Sequence, residues 1–92
     1  MTVEHEPDRH RFIVRLPEGE GRLLYREAGP GVLNFWHTEV DPALRGKGAA
    51  DALARAAMDF ARQEGLKVIP DCPYVRGWVD SHPEYVETLA IR

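Results

Sequence analysis

Ninety-two residues are enough for one hydrophobic core and too few for two, and 43% hydrophobic with 29% charged residues is the balance of an ordinary globular chain. A formal net charge of −3 excludes the concentrated basic surface that broad nucleic-acid binding requires. No run approaches the ~18 apolar residues of a membrane helix, so neither nucleic acid nor membrane is an expected partner. A single domain over residues 1–92 is expected, with its core at about 10–86. The one cysteine, Cys72, excludes an internal disulfide and fits a reducing compartment, most simply the cytoplasm. His5, His10, His37 and His82 show no metal-ligand spacing with it, and no metal is expected.

Met1 to Arg9 reads as a loose, polar lead-in with no signal-peptide character. Arg11 to Leu16 alternates, with Phe12, Val14 and Leu16 on one face and Arg11, Ile13 and Arg15 on the other, which is a half-covered strand. Pro17 to Gly21 is a turn, Arg22 to Ala28 a second strand, and Gly29-Pro30-Gly31 a stronger turn. Val32 to Val40 is the longest strand; strict alternation divides it into Val32, Asn34, Trp36, Thr38 and Val40 against Leu33, Phe35, His37 and Glu39. Aromatics on both faces predict a central, doubly covered strand. From Leu44 to Glu64 the period becomes helical, with Ala50, Leu53, Ala54, Ala57, Phe60 and Ala61 as the buried stripe and Gly65 as the stop. Lys67 to Pro70 is a short strand, reached by a right-handed crossover and therefore parallel to the long one. Asp71-Cys72-Pro73 opens a helix whose apolar face is Tyr74, Val75, Trp78 and Val79. Ser81-His82-Pro83-Glu84 has capping-box spacing and opens a last short helix to about Leu89.

The turn Arg45-Gly46-Lys47-Gly48-Ala49-Ala50 lies between the longest strand and the helix. A helix start carries four unpaired N–H groups and about half a positive charge, so it suits an anion; the two glycines leave the backbone bare, and Arg45 and Lys47 add full charges. The segment has no Walker frame, and Gly46 and Gly48 are followed by Asp51 where a dinucleotide fingerprint needs glycine. It does fill the frame [QR]-x-x-G-x-[GA], with Arg45, Gly48 and Ala50 in register. With His37-Thr38-Glu39-Val40 before it, Pro70-Asp71-Cys72-Pro73-Tyr74-Val75 after it and His82-Pro83-Glu84-Tyr85 near the end, the chain resembles a small single-domain branch of the GNAT superfamily of acyl-coenzyme A N-acetyltransferases, from about Phe12 to Tyr85.

The resemblance implies an α/β (α+β) fold: a mixed sheet of three antiparallel strands plus a parallel strand after the crossover helix, with short C-terminal helices. It implies acetyl-CoA or coenzyme A as cofactor, with the pyrophosphate on the turn amides and the pantetheine arm along the strand end. Glu39, Val40, Leu44, Arg45, Gly46, Lys47, Gly48, Ala49, Ala50 and Tyr74 would line it. The chain has no room for the helices usually inserted between the first two strands of that superfamily, nor for its last strands, so the acceptor is undefined.

Acetyl transfer to an amine needs a neutral nucleophile, and an alkyl ammonium with a pKa near ~10.4 is almost wholly charged at neutral pH. A positioned base is then worth about 10²–10⁴-fold. His37 and Glu39, two apart on the strand, share a face and are candidates. Cys72, at a helix start that favours a thiolate and beside Asp71, which opposes one, is a third candidate: it either shapes the site or takes the acetyl group first. Tyr74 is a candidate proton donor, and His82 and Tyr85 read as packing groups. The function expected is acetyl-CoA-dependent acetylation of an unidentified small-molecule or protein amine by a monomer or weak homodimer. The alternative is a non-catalytic acetyl-CoA- or CoA-binding module.

Overall fold

The computed structural model describes residues 1–90 as one five-stranded sheet with a long helix across one face. The strands are β1 (Val3–Glu6), β2 (Arg11–Leu16), β3 (Gly19–Glu27), β4 (Val32–Val40) and β5 (Lys67–Ile69), and they lie in the sheet in that order. The first three pairings are antiparallel; β4 and β5 are parallel, joined through α1 (Ala49–Gln63). A second helix, α2 (Pro73–Asp80), and a 3-10 segment (Pro83–Thr88) complete the described chain.

The lead-in expectation for Met1 to Arg9 is corrected: Val3–Glu6 is an edge strand paired with β2. Its polar composition conceals an alternation. His5 turns to the helix side and stacks on Phe12 at 4.3 Å, while Glu4 and Glu6 meet Arg11 and Arg15 on the other face. The expected five-residue turn also shortens to Pro17 and Glu18, because Gly19 and Gly21 are strand residues. Gly21 faces Val40 in a space where a Cβ would come within 3.3 Å of Leu53 Cδ1, so any larger residue there would press on the close approach of helix to sheet.

Helix α1 buries Ala49, Leu53, Ala54, Ala57, Met58 and Ala61. Four of these six are alanine, which lets the helix axis come close to the sheet and reach Phe12, Val14, Leu23, Phe35 and Val68. The predicted helix began at Leu44. It begins at Ala49, because Pro42–Leu44 forms a separate 3-10 turn and Gly46 and Gly48 adopt φ of 78° and 82°, outside the helical region. The last segment is capped by His82 without a side-chain bond, so the Ser81–Glu84 capping box does not form. Pro83 sets the first position, and the His82 ring turns back, its Nδ1–H donating to the Trp78 carbonyl at 2.6 Å.

The open face of the sheet carries a chain of ion pairs. Arg11 and Arg15 hold Glu6, Arg15 reaches Glu20, and Arg22 joins Glu20 to Glu39. Ile13, expected on a solvated face, is fully buried there: Glu4 and Arg22 flank it across the strands, Arg11 and Arg15 along its own. The aliphatic stems of the charged residues, more than the charge pairs, account for this face, since exposed pairs contribute at most about 1 kcal/mol each.

Burial holds the His5 imidazole below the ordinary histidine value of 6.5. A depressed histidine binds fewer protons folded than unfolded, so its contribution is present above pH 6.5 and fades as the pH falls below it. Melting temperature is expected to drop between pH 7.5 and pH 5.5, and His5→Phe, which keeps the ring stack, is expected to flatten that drop. An equally steep profile in the variant would assign the effect elsewhere.

Candidate functional site

The site is built where β4 outruns its parallel neighbour. β5 pairs with Val32, Leu33 and Asn34 only; one further bond, Cys72 N–H to the Phe35 carbonyl at 2.8 Å, closes the pairing. From Trp36 to Val40, β4 has no backbone partner on that side among the described residues. A split of this kind leaves main-chain groups available to an extended ligand.

A β-bulge decides which side chains face the split. Opposite β3, Leu24 pairs with His37 and Tyr25 with Phe35, so Trp36 is an extra residue on β4. Strict alternation, the expectation above, therefore fails halfway along. Leu33 and Phe35 face the helix, but beyond Trp36 the helix side belongs to Thr38 and Val40, opposite Leu23 and Gly21. His37 and Glu39 share the open face, as their spacing predicted. Trp36 is 38% exposed under Arg26, whose guanidinium lies 4.4 Å from the ring centre, so the strand is not covered on both sides.

On the helix side, the Cys72 thiol donates to Thr38 Oγ1 at 3.3 Å. Cys72 caps α2 and is only 4% exposed. Two residues further along β4, about 7 Å, Val40 forms one wall of a cavity of about 310 Å³. Its other walls are Leu44, Arg45, Gly46, Gly48, Ala49 and Ala50. All seven were singled out from sequence. The amides of this turn divide into two groups. Arg45 N–H donates to the Pro42 carbonyl at 3.2 Å and Lys47 N–H to Leu44 at 3.1 Å, so these two are turned inward, against the expectation of a continuous bare run. Gly46, Gly48, Ala49, Ala50 and Asp51 N–H have no acceptor among the described residues. These unpaired donors, the positive end of a fifteen-residue helix and the exposed Arg45 guanidinium make a site for an anion.

Three expected cofactor contacts lie outside that cavity. Lys47 Nζ reaches Glu18 at 3.1 Å, which, after a backbone bond within Glu18 itself, helps hold that carboxyl below its usual range. The Glu39 carboxylate pairs with Arg22 at 2.7 Å. Tyr74, 41% exposed, lines a separate cavity of about 370 Å³ with Pro73, Gly77, Trp78, Ser81 and His82. Its hydroxyl is pushed up by burial and then by the charge of Asp51, which keeps it a donor.

On the open face, His37 Nε2 lies 3.2 Å from Glu39 Oε2. A carboxylate only accepts, so Nε2 carries the hydrogen, and in the neutral imidazole the lone pair is on Nδ1. Arg22 first, and His37 second, hold the Glu39 carboxyl below its ordinary value, so Glu39 stays ionised and orients the imidazole. No three histidine, cysteine or acidic side chains are placed to hold a metal among the described residues. No described helix is long and apolar enough to cross a membrane.

A sequence model described as GCN5-related N-acetyl-transferase matches residues 11–89. The chain belongs to the GCN5-related N-acetyltransferase family. It is 43% identical to Protein NATD1 of Xenopus tropicalis over 97% of this chain and 85% of that protein. Protein NATD1 of Homo sapiens is 42% identical, with 97% and 82% covered. The NMR structure of a GCN5-like protein from Staphylococcus aureus superposes with a TM-score of 0.75 over 96% of this chain and 86% of that one, at 22% identity, which marks a shared fold.

Two features of this family member escaped the sequence reading. Thr38, the partner of Cys72, was placed on the wrong face because the bulge at Trp36 has no sequence signature beyond an aromatic in a polar strand end. Asp51, outside the predicted buried stripe, accepts the Trp78 indole N–H at 2.8 Å and fastens α2 to the first turn of α1.

Proposed function

We propose that this protein binds acetyl-CoA in the cavity at the start of α1 and transfers the acetyl group to an amine that approaches the β4–β5 split. The observation that carries the reading is the set of unpaired amides at Gly46, Gly48, Ala49 and Ala50 at a cavity walled also by Val40, which belongs to the stretch of β4 with no backbone partner on its β5 side among the described residues. Acetyl-CoA supplies a thioester whose carbonyl carbon an amine attacks, the C–S bond breaking and the thiolate leaving with the electron pair. The turn amides hold the pyrophosphate, and the β4 edge aligns the pantetheine arm. His37 Nδ1 takes the proton shed by the amine, and Glu39 holds the resulting imidazolium. Burial of Cys72 and its bond to Thr38 favour direct transfer, with the cysteine shaping the site. Its place at the split keeps a second route, in which the thiol takes the acetyl group and passes it to the amine. The lone thiol suits a reducing compartment such as the cytoplasm.

Release of the free thiol of coenzyme A, measured across a panel of primary amines, tests the function. Turnover by the native protein is expected to fall about 100-fold or more in His37→Ala, with acetyl-CoA affinity unchanged. Tight binding of acetyl-CoA with no thiol released in the presence of any amine would leave a carrier module instead. Intact mass after incubation with acetyl-CoA alone separates the routes: direct transfer leaves the mass unchanged, whereas an added acetyl group that disappears in Cys72→Ala establishes the cysteine route.

A further inference from the structure

A second cavity lies at the opposite end of the sheet and takes no part in the proposed acyl transfer. It measures about 570 Å³, within the range that holds small organic ligands. Its walls combine β1, the end of β3, the Gly29-Pro30-Gly31 turn and the C-terminal half of α1, and they carry three rings: His5, Tyr25 and Phe60. Val32, at its rim, and Val40, at the anion cavity, are the two ends of β4, about 26 Å apart.

Two properties narrow the ligand. The first is charge. Glu27 is the only carboxylate of the lining, no lysine or arginine contributes, and burial works against a charge on His5. Aromatic walls with one carboxylate favour a cation over an anion. The second is a spare hydrogen. His5 Nε2 lies 2.6 Å from the Tyr25 hydroxyl. A neutral imidazole and a phenol hold two polar hydrogens between them, and this bond uses one. Whichever group donates, one N–H or O–H is left without an acceptor among the described residues. A ligand oxygen fits that donor.

We propose that this cavity binds a small organic monocation: an ammonium group facing Glu27 on an aromatic body with an oxygen acceptor facing the His5–Tyr25 pair. The site is independent of acetyl transfer, and its occupant need not be acetylated. Tyramine is the probe, and tyrosol, which replaces the ammonium with a hydroxyl, is its neutral counterpart. Amide spectra of the full ¹⁵N-labelled chain report on both cavities at once, because each is marked by a pair of glycines. Millimolar tyramine is expected to shift Gly29 and Gly31 and leave Gly46 and Gly48 unmoved. Glu27 is exposed, so Glu27→Gln should fold as the native chain does. It is expected to weaken tyramine about threefold and leave tyrosol unaffected. The proposal is overturned by the absence of shifts at Gly29 and Gly31, by equal affinity for tyramine and tyrosol, or by a Glu27→Gln variant that binds tyramine as before. Each of these leaves the acyl-transfer reading untouched, since Gly46 and Gly48 report on it separately.

Discussion

Deleting Trp36 is expected to destabilise the protein by more than about 3 kcal/mol, whereas Trp36→Ala is expected to cost less than about 1 kcal/mol. The side chain is exposed, and its ring meets only the Arg26 guanidinium at 4.4 Å and the partly exposed His37 ring at 5.4 Å among the described residues, so truncation loses little. Its place in the backbone is what matters. Trp36 is the extra residue that turns His37 and Glu39 outward and Thr38 and Val40 inward. Without it, one half of β4 must change faces. If the second half turns, an imidazole and a carboxylate are driven under α1 and the Arg22–Glu39 pair breaks. If the first half turns, Leu33 and the fully buried Phe35 leave the core. Urea denaturation of the two variants makes the comparison. Equal losses would mean that the bulge does not set the faces of the strand.

The second large effect concerns affinity. Ala50→Glu is expected to weaken acetyl-CoA binding about 100-fold or more while leaving the fold intact. Ala50 lies in the first turn of α1 and lines the anion cavity. A glutamate there suits the helix, because an acid near the N-terminus interacts favourably with the dipole. It also fills the cavity with a like charge facing the expected phosphates. Gly48→Glu would place the same charge nearby but is a poorer test: φ at Gly48 is 82°, where any side chain is strained, and lost binding could report lost structure. Ala50→Lys is the counterpart and should bind at least as well as the native chain. Calorimetric titration of the three proteins decides it; an Ala50→Glu variant that binds normally would remove the turn from the site.

The long elements and the anion turn were legible in the sequence because each has a strong local cause. Val32–Val40 has a long β-forming run between glycine turns, α1 has its alanine stripe, and the strand-to-helix turn has glycines where only glycine is at ease. What could not be read depends on partners distant in sequence. Val3–Glu6 is a strand because Arg11 and Arg15 neutralise its glutamates and Phe12 supports His5. Ile13 is buried by charged neighbours on three strands. The bulge at Trp36 shifts the alternation by one residue, and a period-two pattern carries no information about an inserted residue until its partners on β3 are known. The same cause explains the turn: the residues around Gly46 and Gly48 stand out as a group because they are neighbours in sequence, and they share one cavity, while the inward turn of the Arg45 and Lys47 amides is a property of the 3-10 turn before them.

The central claim is that unpaired amides at the start of α1 grip the pyrophosphate of coenzyme A, and it is tested most directly by titrating the ¹⁵N-labelled native chain with coenzyme A. The largest shifts are expected at Gly46, Gly48, Ala49 and Ala50, with smaller ones at Arg45 and Lys47, whose hydrogens are already bonded. Binding that leaves those four resonances in place, or no binding at all, would contradict it.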